Sequence, residues 1–208
     1  MQKDRKSNFL VQCRNIYIFL FQINLFDISQ ENEDDALITA LNVEAPAKSI
    51  TWLKDDKVGI LLDHEEIALW KIEDSQPYKI FDRENLTGAI RRKMTSWTYV
   101  SGIHFDAESE KTFVLAGSSC TSNPCSRLLN LSKTKLKPVA DINSNKVKNT
   151  TIRASCLTKG GTLVTGSEEG YLCAWNQNDT SATDVDVGEN FKSKKMNNGK
   201  ASKKPYSR

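Results

Sequence analysis

The chain has 208 residues, 38% of them apolar and 26% charged, and a formal net charge of +3. That balance is ordinary for a soluble folded domain and excludes a chain disordered throughout. The longest apolar run, residues 16–26, is broken by Gln22 and Asn24 and is too short to cross a bilayer as a helix, so no membrane association is expected.

Residues 1–22 come first and read as a leader that is non-native or disordered. Lys3, Arg5 and Lys6 stand ahead of the apolar run, as in a targeting segment, but no small-residue cleavage site follows. Residues 17–22, Tyr-Ile-Phe-Leu-Phe-Gln, back-translate into a pyrimidine-rich tract that can end in CAG, the shape of an intron end read as protein. The expectation is that residues 23–178 form the folded part and correspond to the C-terminal half of a longer structure. Mature message running unspliced across the Gln22–Ile23 junction would overturn it.

From Ile23 the chain reads as short strands rich in β-branched and aromatic residues, bounded by Asp, Asn, Gly, Pro or Lys clusters. They are expected over residues 23–28, 39–43, 48–53, 58–62, 67–72, 78–81, 99–105, 112–117, 128–131, 139–142, 151–157, 163–165 and 171–175. No stretch of a dozen residues carries a helical stripe, although residues 84–93 have room for a turn or two. The class is all-β.

The strands repeat. Residues 162–177 form the clearest unit, a hairpin whose Ser-Glu-Glu-Gly turn gives Gly170 a positive φ and whose second arm closes on Trp175. Setting Trp70 over Trp175 places Asp63 and His64 on Glu168 and Glu169, and Ile67 on Leu172. An upstream copy has Phe26 in the tryptophan position, and another has Asn130 there. The four anchors, Phe26, Trp70, Asn130 and Trp175, are spaced by 44, 60 and 45 residues. The long middle step implies an insertion of roughly 15 residues against the repeat period, with candidates at 83–97 and near 118–124.

Residues 179–208 are different in kind. From Lys192 to Arg208 there are six lysines, one arginine and no acidic residue, so this +7 segment leaves −4 on the other 191 residues. It cannot bury enough surface to offset its ordering entropy and is expected to be disordered. Lys192, Lys194, Lys195, Lys203 and Lys204 are candidates for a nuclear localisation signal or a loose phosphate-binding tail.

Little suggests catalysis. Five cysteines without a signal peptide fit a reducing compartment. Cys156 and Cys173 fall inside strands as small buried hydrophobes, and Cys120 and Cys125 lack the partners of a metal site. His64-Glu65-Glu66 resembles part of a zinc-protease helix but lacks the second histidine. No nucleophile–base arrangement can be assembled, and no cofactor or metal is implied.

Several stretches carry a family resemblance. Residues 151–156, Thr-Ile-Arg-Ala-Ser-Cys, followed by residues 161–170, Gly-Thr-Leu-Val-Thr-Gly-Ser-Glu-Glu-Gly, resemble the last repeat of the WD40 repeat family. Residues 100–105 and 112–118, with the long excursion before them, together with Ser49-Ile-Thr-Trp-Leu53 and Ile67-Ala-Leu-Trp-Lys71, are similar to its WD repeat-containing protein 89 subfamily. The resemblance implies an incomplete WD40 β-propeller of about three blades plus a trailing strand, where about seven blades close a ring. It also implies a non-enzymatic protein-interaction scaffold, in the nucleus or the cytoplasm. The chain lacks the family's Gly-His dipeptides and any Trp-Asp, so the usual hydrogen-bond network is not implied in any blade; Trp175 with Thr165 or Ser167 keeps part of it. Loops at the blade rims are the usual binding surfaces. Candidates are the turns at 54–57, 106–111 and 159–161 and the insertion at 91–97. Arg91, Arg92, Trp97 and Tyr99 would suit an acidic, partly apolar protein partner. Nucleic-acid association through the basic tail is the alternative, testable by its salt dependence.

Overall fold

The computed structural model describes residues 9–17, 20–93, 97–120, 124–142, 150–176 and 192–193. Four antiparallel sheets follow one another along the chain. The first joins β1 (Phe9–Tyr17), β2 (Leu20–Asp27) and β3 (Leu37–Val43), with a single helical turn, α1 (Glu33–Ala36), between the last two. The second runs β4 (Ala47–Trp52), β5 (Lys57–Leu62), β6 (Ile67–Lys71) and β7 (Lys79–Phe81). After the helix α2 (Arg83–Ala89), the third runs β8 (Thr98–Asp106), β9 (Lys111–Ser118), β10 (Cys125–Leu131) and β11 (Leu136–Asp141). The last joins β12 (Ile152–Leu157), β13 (Leu163–Ser167), β14 (Leu172–Asn176) and the two-residue β15 (Lys192–Ser193). Each four-stranded sheet is a meander in strand order, as in the blades of a β-propeller. The fold is an incomplete WD40-type β-propeller.

The sheets stack face to face, which explains the unusual apolarity of the second. Val58, Ile60 and Leu62 with Ala68 and Trp70 pack against Ile23, Leu25, Leu41 and Val43 of the first sheet. From the same strands, Leu61, Ile67 and Leu69 point the other way and join Val100, Ile103, Val114 and Leu129 of the third sheet. Side chains alternate between faces along a strand, so burial on both faces requires an uninterrupted apolar run. A third cluster, with Leu115, Leu128, Ile152, Leu163 and Trp175, closes the third sheet on the fourth. At about 25 cal/mol per Å2 of apolar surface removed from water, these three layers supply the main favourable term.

Several sequence expectations are corrected here. Residues 9–17 pair with β2 along its length, so this part of the leader lies within the first sheet, and the boundary at residue 22 falls inside β2. Residues 39–43, expected as a strand, complete the first sheet through β3. Asn130 is one residue out of phase: its neighbours Leu129 and Leu131 are the ones in the core facing the second sheet. A shift of one residue turns a strand position to the opposite face, so Leu131, paired with Thr112, takes the anchor role. The insertion lies between β7 and β8, where it holds α2. Cys156 is exposed, not buried. Within the tail, Lys192 and Ser193 add an outer strand to β14, pairing with Asn176 and Trp175. The rest of 177–208 lies outside the described residues.

Candidate functional site

The first strands of successive sheets lie side by side. Thr51 of β4 donates its hydroxyl to the Ile103 carbonyl of β8 at 3.0 Å, and Ser101 of β8 donates to the Ile152 carbonyl of β12 at 2.7 Å. His104 of β8 and Ser155 of β12 join through Nε2 and Oγ at 2.8 Å. Burial pushes the His104 pKa down to about 4, so the ring is neutral near pH 7 and serves as a hydrogen-bonding group.

Antiparallel meanders divide the connections between two rims. Each turn from first to second strand lies on one rim, and each link from a sheet's last strand to the next sheet's first lies on the other. The turns at 54–57, 106–111 and 159–161 therefore share one rim, where Lys54 and Glu110 form an ion pair between neighbouring turns. The connection holding Arg91, Arg92 and Trp97 lies on the opposite rim, together with the β5–β6 turn. The candidate loops do not form one surface.

The opposite rim is the more firmly built. The Asp82 side chain caps α2 by accepting from the Asn85 N–H at 2.7 Å, satisfying one of the donors a helix start leaves open. Leu86 and Ile90 are fully buried in the cluster between the second and third sheets. Arg83 donates to the His64 carbonyl of the second sheet at 3.1 Å, and Arg127 of β10 donates to the Ile90 carbonyl at 2.9 Å. Thr87 and Thr98 share a buried hydroxyl hydrogen bond of 2.7 Å. The helix is thus fastened to both sheets. Arg127 was not singled out in the sequence: it meets Ile90 across 37 positions, and no spacing rule reaches that far.

Of the four candidate partner-binding residues, the structure leaves two at the surface. Tyr99 is 8% exposed. Its hydroxyl meets Ser126 Oγ at 2.9 Å and accepts from the Ile152 N–H at 3.3 Å, and burial raises its pKa. It is a core residue joining the third and fourth sheets, not a binding residue. Arg92 turns inward, with Nε donating to Cys125 Sγ at 3.0 Å. Arg91 is exposed and follows α2 with φ 55°, a left-handed conformation that favours glycine. Trp97 is 44% exposed, and its carbonyl accepts from the Ser119 N–H at 2.9 Å.

Among the anchors, Phe26, Trp70 and Trp175 are buried, and Trp175 Nε1 donates to Thr165 Oγ1 at 2.9 Å. Among the described residues no three of His, Cys, Asp or Glu gather to hold a metal ion, and no helix is long and apolar enough to cross a membrane. Lys194, Lys195, Lys203 and Lys204 lie outside the described residues, and Lys192 pairs through its backbone with Asn176.

No family model matches the chain. Among solved structures, it is similar to the β-propeller domain of Myceliophteria thermophila Cps50 (Swd1). The TM-score is 0.52 at 14% identity, over 90% of this chain and 67% of that one. U3-55K gives a TM-score of 0.45 at 16% identity, over 83% of this chain and 47% of that one. The C-terminal WD40 domain of Sif2 gives 0.34 at 12%, over 76% and 63%. The first likeness supports the propeller fold; at these identities none transfers chemistry.

Proposed function

We propose that the chain is a non-catalytic scaffold that holds another protein on the rim carrying α2. The observation that carries this reading is Trp97, a large aromatic 44% exposed on a connection whose helix is fastened to two sheets. Tryptophan and arginine lead interface hot spots, and a rigid support lowers the ordering entropy of binding. The likeness to the WD repeat-containing protein 89 subfamily, carried by residues 49–53, 67–71, 100–105 and 112–118, belongs to the same reading. A nuclear setting is favoured by Lys192, Lys194, Lys195, Lys203 and Lys204, which together form a short basic address.

The test is affinity purification of the full chain with mass spectrometry, beside a Trp97→Ala variant and a chain lacking 179–208. Partners lost with Trp97→Ala and kept without the tail support the rim. Partners kept by Trp97→Ala but lost without the tail, and released steeply by salt, point to the tail as a polyanion-binding segment. The absence of any specific protein partner overturns the scaffold reading.

A further inference from the structure

We infer that the cleft between β7, α2 and β11 is a docking groove for an acidic, extended segment of a partner protein. This deepens the scaffold reading and rests on it. The groove, about 370 Å3, is lined by Lys79, Phe81, Gly88, Arg91, Lys135 and Lys137 among others. Four cations converge on it, from β7, the turn after α2 and the start of β11, and no acidic side chain among the described residues lines it. Lys135 and Lys137 are exposed, while Lys79 is held with Nζ 5.1 Å from the centre of the Phe81 ring.

Like charges gathered without a counter-charge repel one another, and the repulsion is relieved when an anion enters. Arg91 sharpens the point. It occupies the left-handed position after α2, where glycine would relieve backbone strain. An arginine kept there brings a guanidinium to the groove at some expense in stability. Because α2 is fastened to the second and third sheets, the walls are fixed before any ligand arrives.

Two observations favour a protein segment over a nucleic acid. The lining is partly aliphatic, with Ala89, Leu136 and Pro138 beside the cations, and its one aromatic ring, Phe81, is buried; base recognition on single strands uses exposed stacking rings. Outside the basic tail, moreover, the chain is net negative, whereas the groove lining carries four cations. A short acidic segment fits such a patch; a long polyanion would also meet the negative surroundings.

The test uses the full chain and a fluorescein-labelled peptide of interspersed Glu and Leu residues, read by anisotropy at low and physiological salt. Reversing two charges in Lys135→Glu/Lys137→Glu is expected to weaken binding at least roughly tenfold. Lys111→Glu/Lys159→Glu, the same charge change at positions outside the groove lining, is expected to leave it within about twofold. Two further variants separate binding from folding. Gly88→Glu places a carboxylate into space where an added Cβ meets nothing within 4 Å, so binding should fall while the fold persists. Arg91→Gly should raise the melting temperature yet weaken the peptide. Equal affinity in Lys135→Glu/Lys137→Glu overturns the proposal. So does binding lost only on deletion of 192–208, or a single-stranded RNA that binds the groove where the peptide does not. If the groove fails here while Trp97→Ala still removes captured partners, the scaffold reading stands and this assignment falls.

Discussion

The second and fourth sheets answer the same structural demands with different residues. Trp70 and Trp175 hold equivalent positions, paired with Val58 and Leu163. Two residues further along the partner strand the second sheet has Ile60 and the fourth has Thr165. Trp175 Nε1 therefore donates to the Thr165 hydroxyl at 2.9 Å, whereas Trp70 Nε1 is buried with no partner among the described residues. The turns differ in the same way. Gly161 and Gly170 take φ 74° and 80° in the fourth sheet, and their equivalents Asp56 and Glu65 take φ 51° and 66° in the second. Among the described residues the second sheet is packed on both faces and the fourth on one, and Leu172 on its other face is 82% exposed. Two-sided burial supplies enough apolar contact to carry an unpartnered indole and strained turns. The fourth sheet, packed on one face among the described residues, keeps the hydrogen bond and the glycines.

The largest expected difference is in core truncation. Leu69→Ala, in the cluster shared by the second and third sheets, should lower stability by about 3 kcal/mol. Leu172→Ala should stay within about 0.5 kcal/mol. Chemical denaturation midpoints at equal slope measure both. Comparable losses at the two sites would mean that the open face of the fourth sheet is covered in solution.

Acid should act next, through His104, one of the residues that tie β8 to β12. Its folded pKa of about 4 lies below the value near 6.5 of an unfolded histidine, so the unfolded chain takes up a proton first as pH falls. Stability is unaffected above about pH 6.5 and is lost progressively between there and about pH 4. The loss is about 2 kcal/mol once the ring's residual exposure is allowed for. Carboxylates titrate in the same window, so the measurement is the difference between the native chain and His104→Gln across pH 7 to 4. A constant difference across that range would show that burial of the neutral ring contributes nothing.

Much of this fold was legible because its strongest signals are local. Period-two apolar strands, glycine turns and the aromatic anchors Phe26, Trp70 and Trp175 report on single hairpins, and hairpins are the unit of this architecture. What was not legible depended on partners distant in sequence. Asn130 was misplaced by one position because only packing against the second sheet tells which of Leu129, Asn130 and Leu131 points inward. Tyr99 looked like a binding aromatic because its partners, Ser126 and Ile152, lie 27 and 53 residues away. The groove cations Lys79, Arg91, Lys135 and Lys137 converge only when α2 bridges two sheets. Residues 9–17 offered no repeat signal, yet pairing with β2 brings them into the sheet.

Glu65 sets strain against contact. Its left-handed backbone disfavours any residue but glycine by about 1 kcal/mol. Yet its carboxylate accepts from the Val100 N–H of the third sheet at 2.7 Å and pairs with Lys48. Glu65→Gly removes the strain but leaves a buried backbone donor unpaired, a penalty of about 1 to 3 kcal/mol. The net expectation is a loss of about 1 kcal/mol, with Glu65→Gln, which keeps an acceptor oxygen, losing less. Gly170→Ala, with no contact to gain, should lose about 1 kcal/mol from strain alone. A stabilised Glu65→Gly in thermal unfolding would show that the inter-sheet bond contributes less than the strain it offsets.

The smallest effect isolates the orphaned indole. Ile60→Val removes one buried methylene and should lower stability by about 1 kcal/mol. Ile60→Thr has nearly the volume of valine but places a hydroxyl where Thr165 accepts from Trp175. In the native background threonine and valine should agree within about 0.5 kcal/mol, because the buried hydroxyl finds the Trp70 N–H. With Trp70→Phe in place that partner is gone, and threonine should fall below valine by about 1 to 2 kcal/mol. The coupling between positions 60 and 70 is then the net contribution of the bond that the fourth sheet has and the second lacks. If threonine trails valine equally in both backgrounds, the indole does not reach the new hydroxyl. The second sheet would then owe its stability to apolar packing whichever residue stands at position 60.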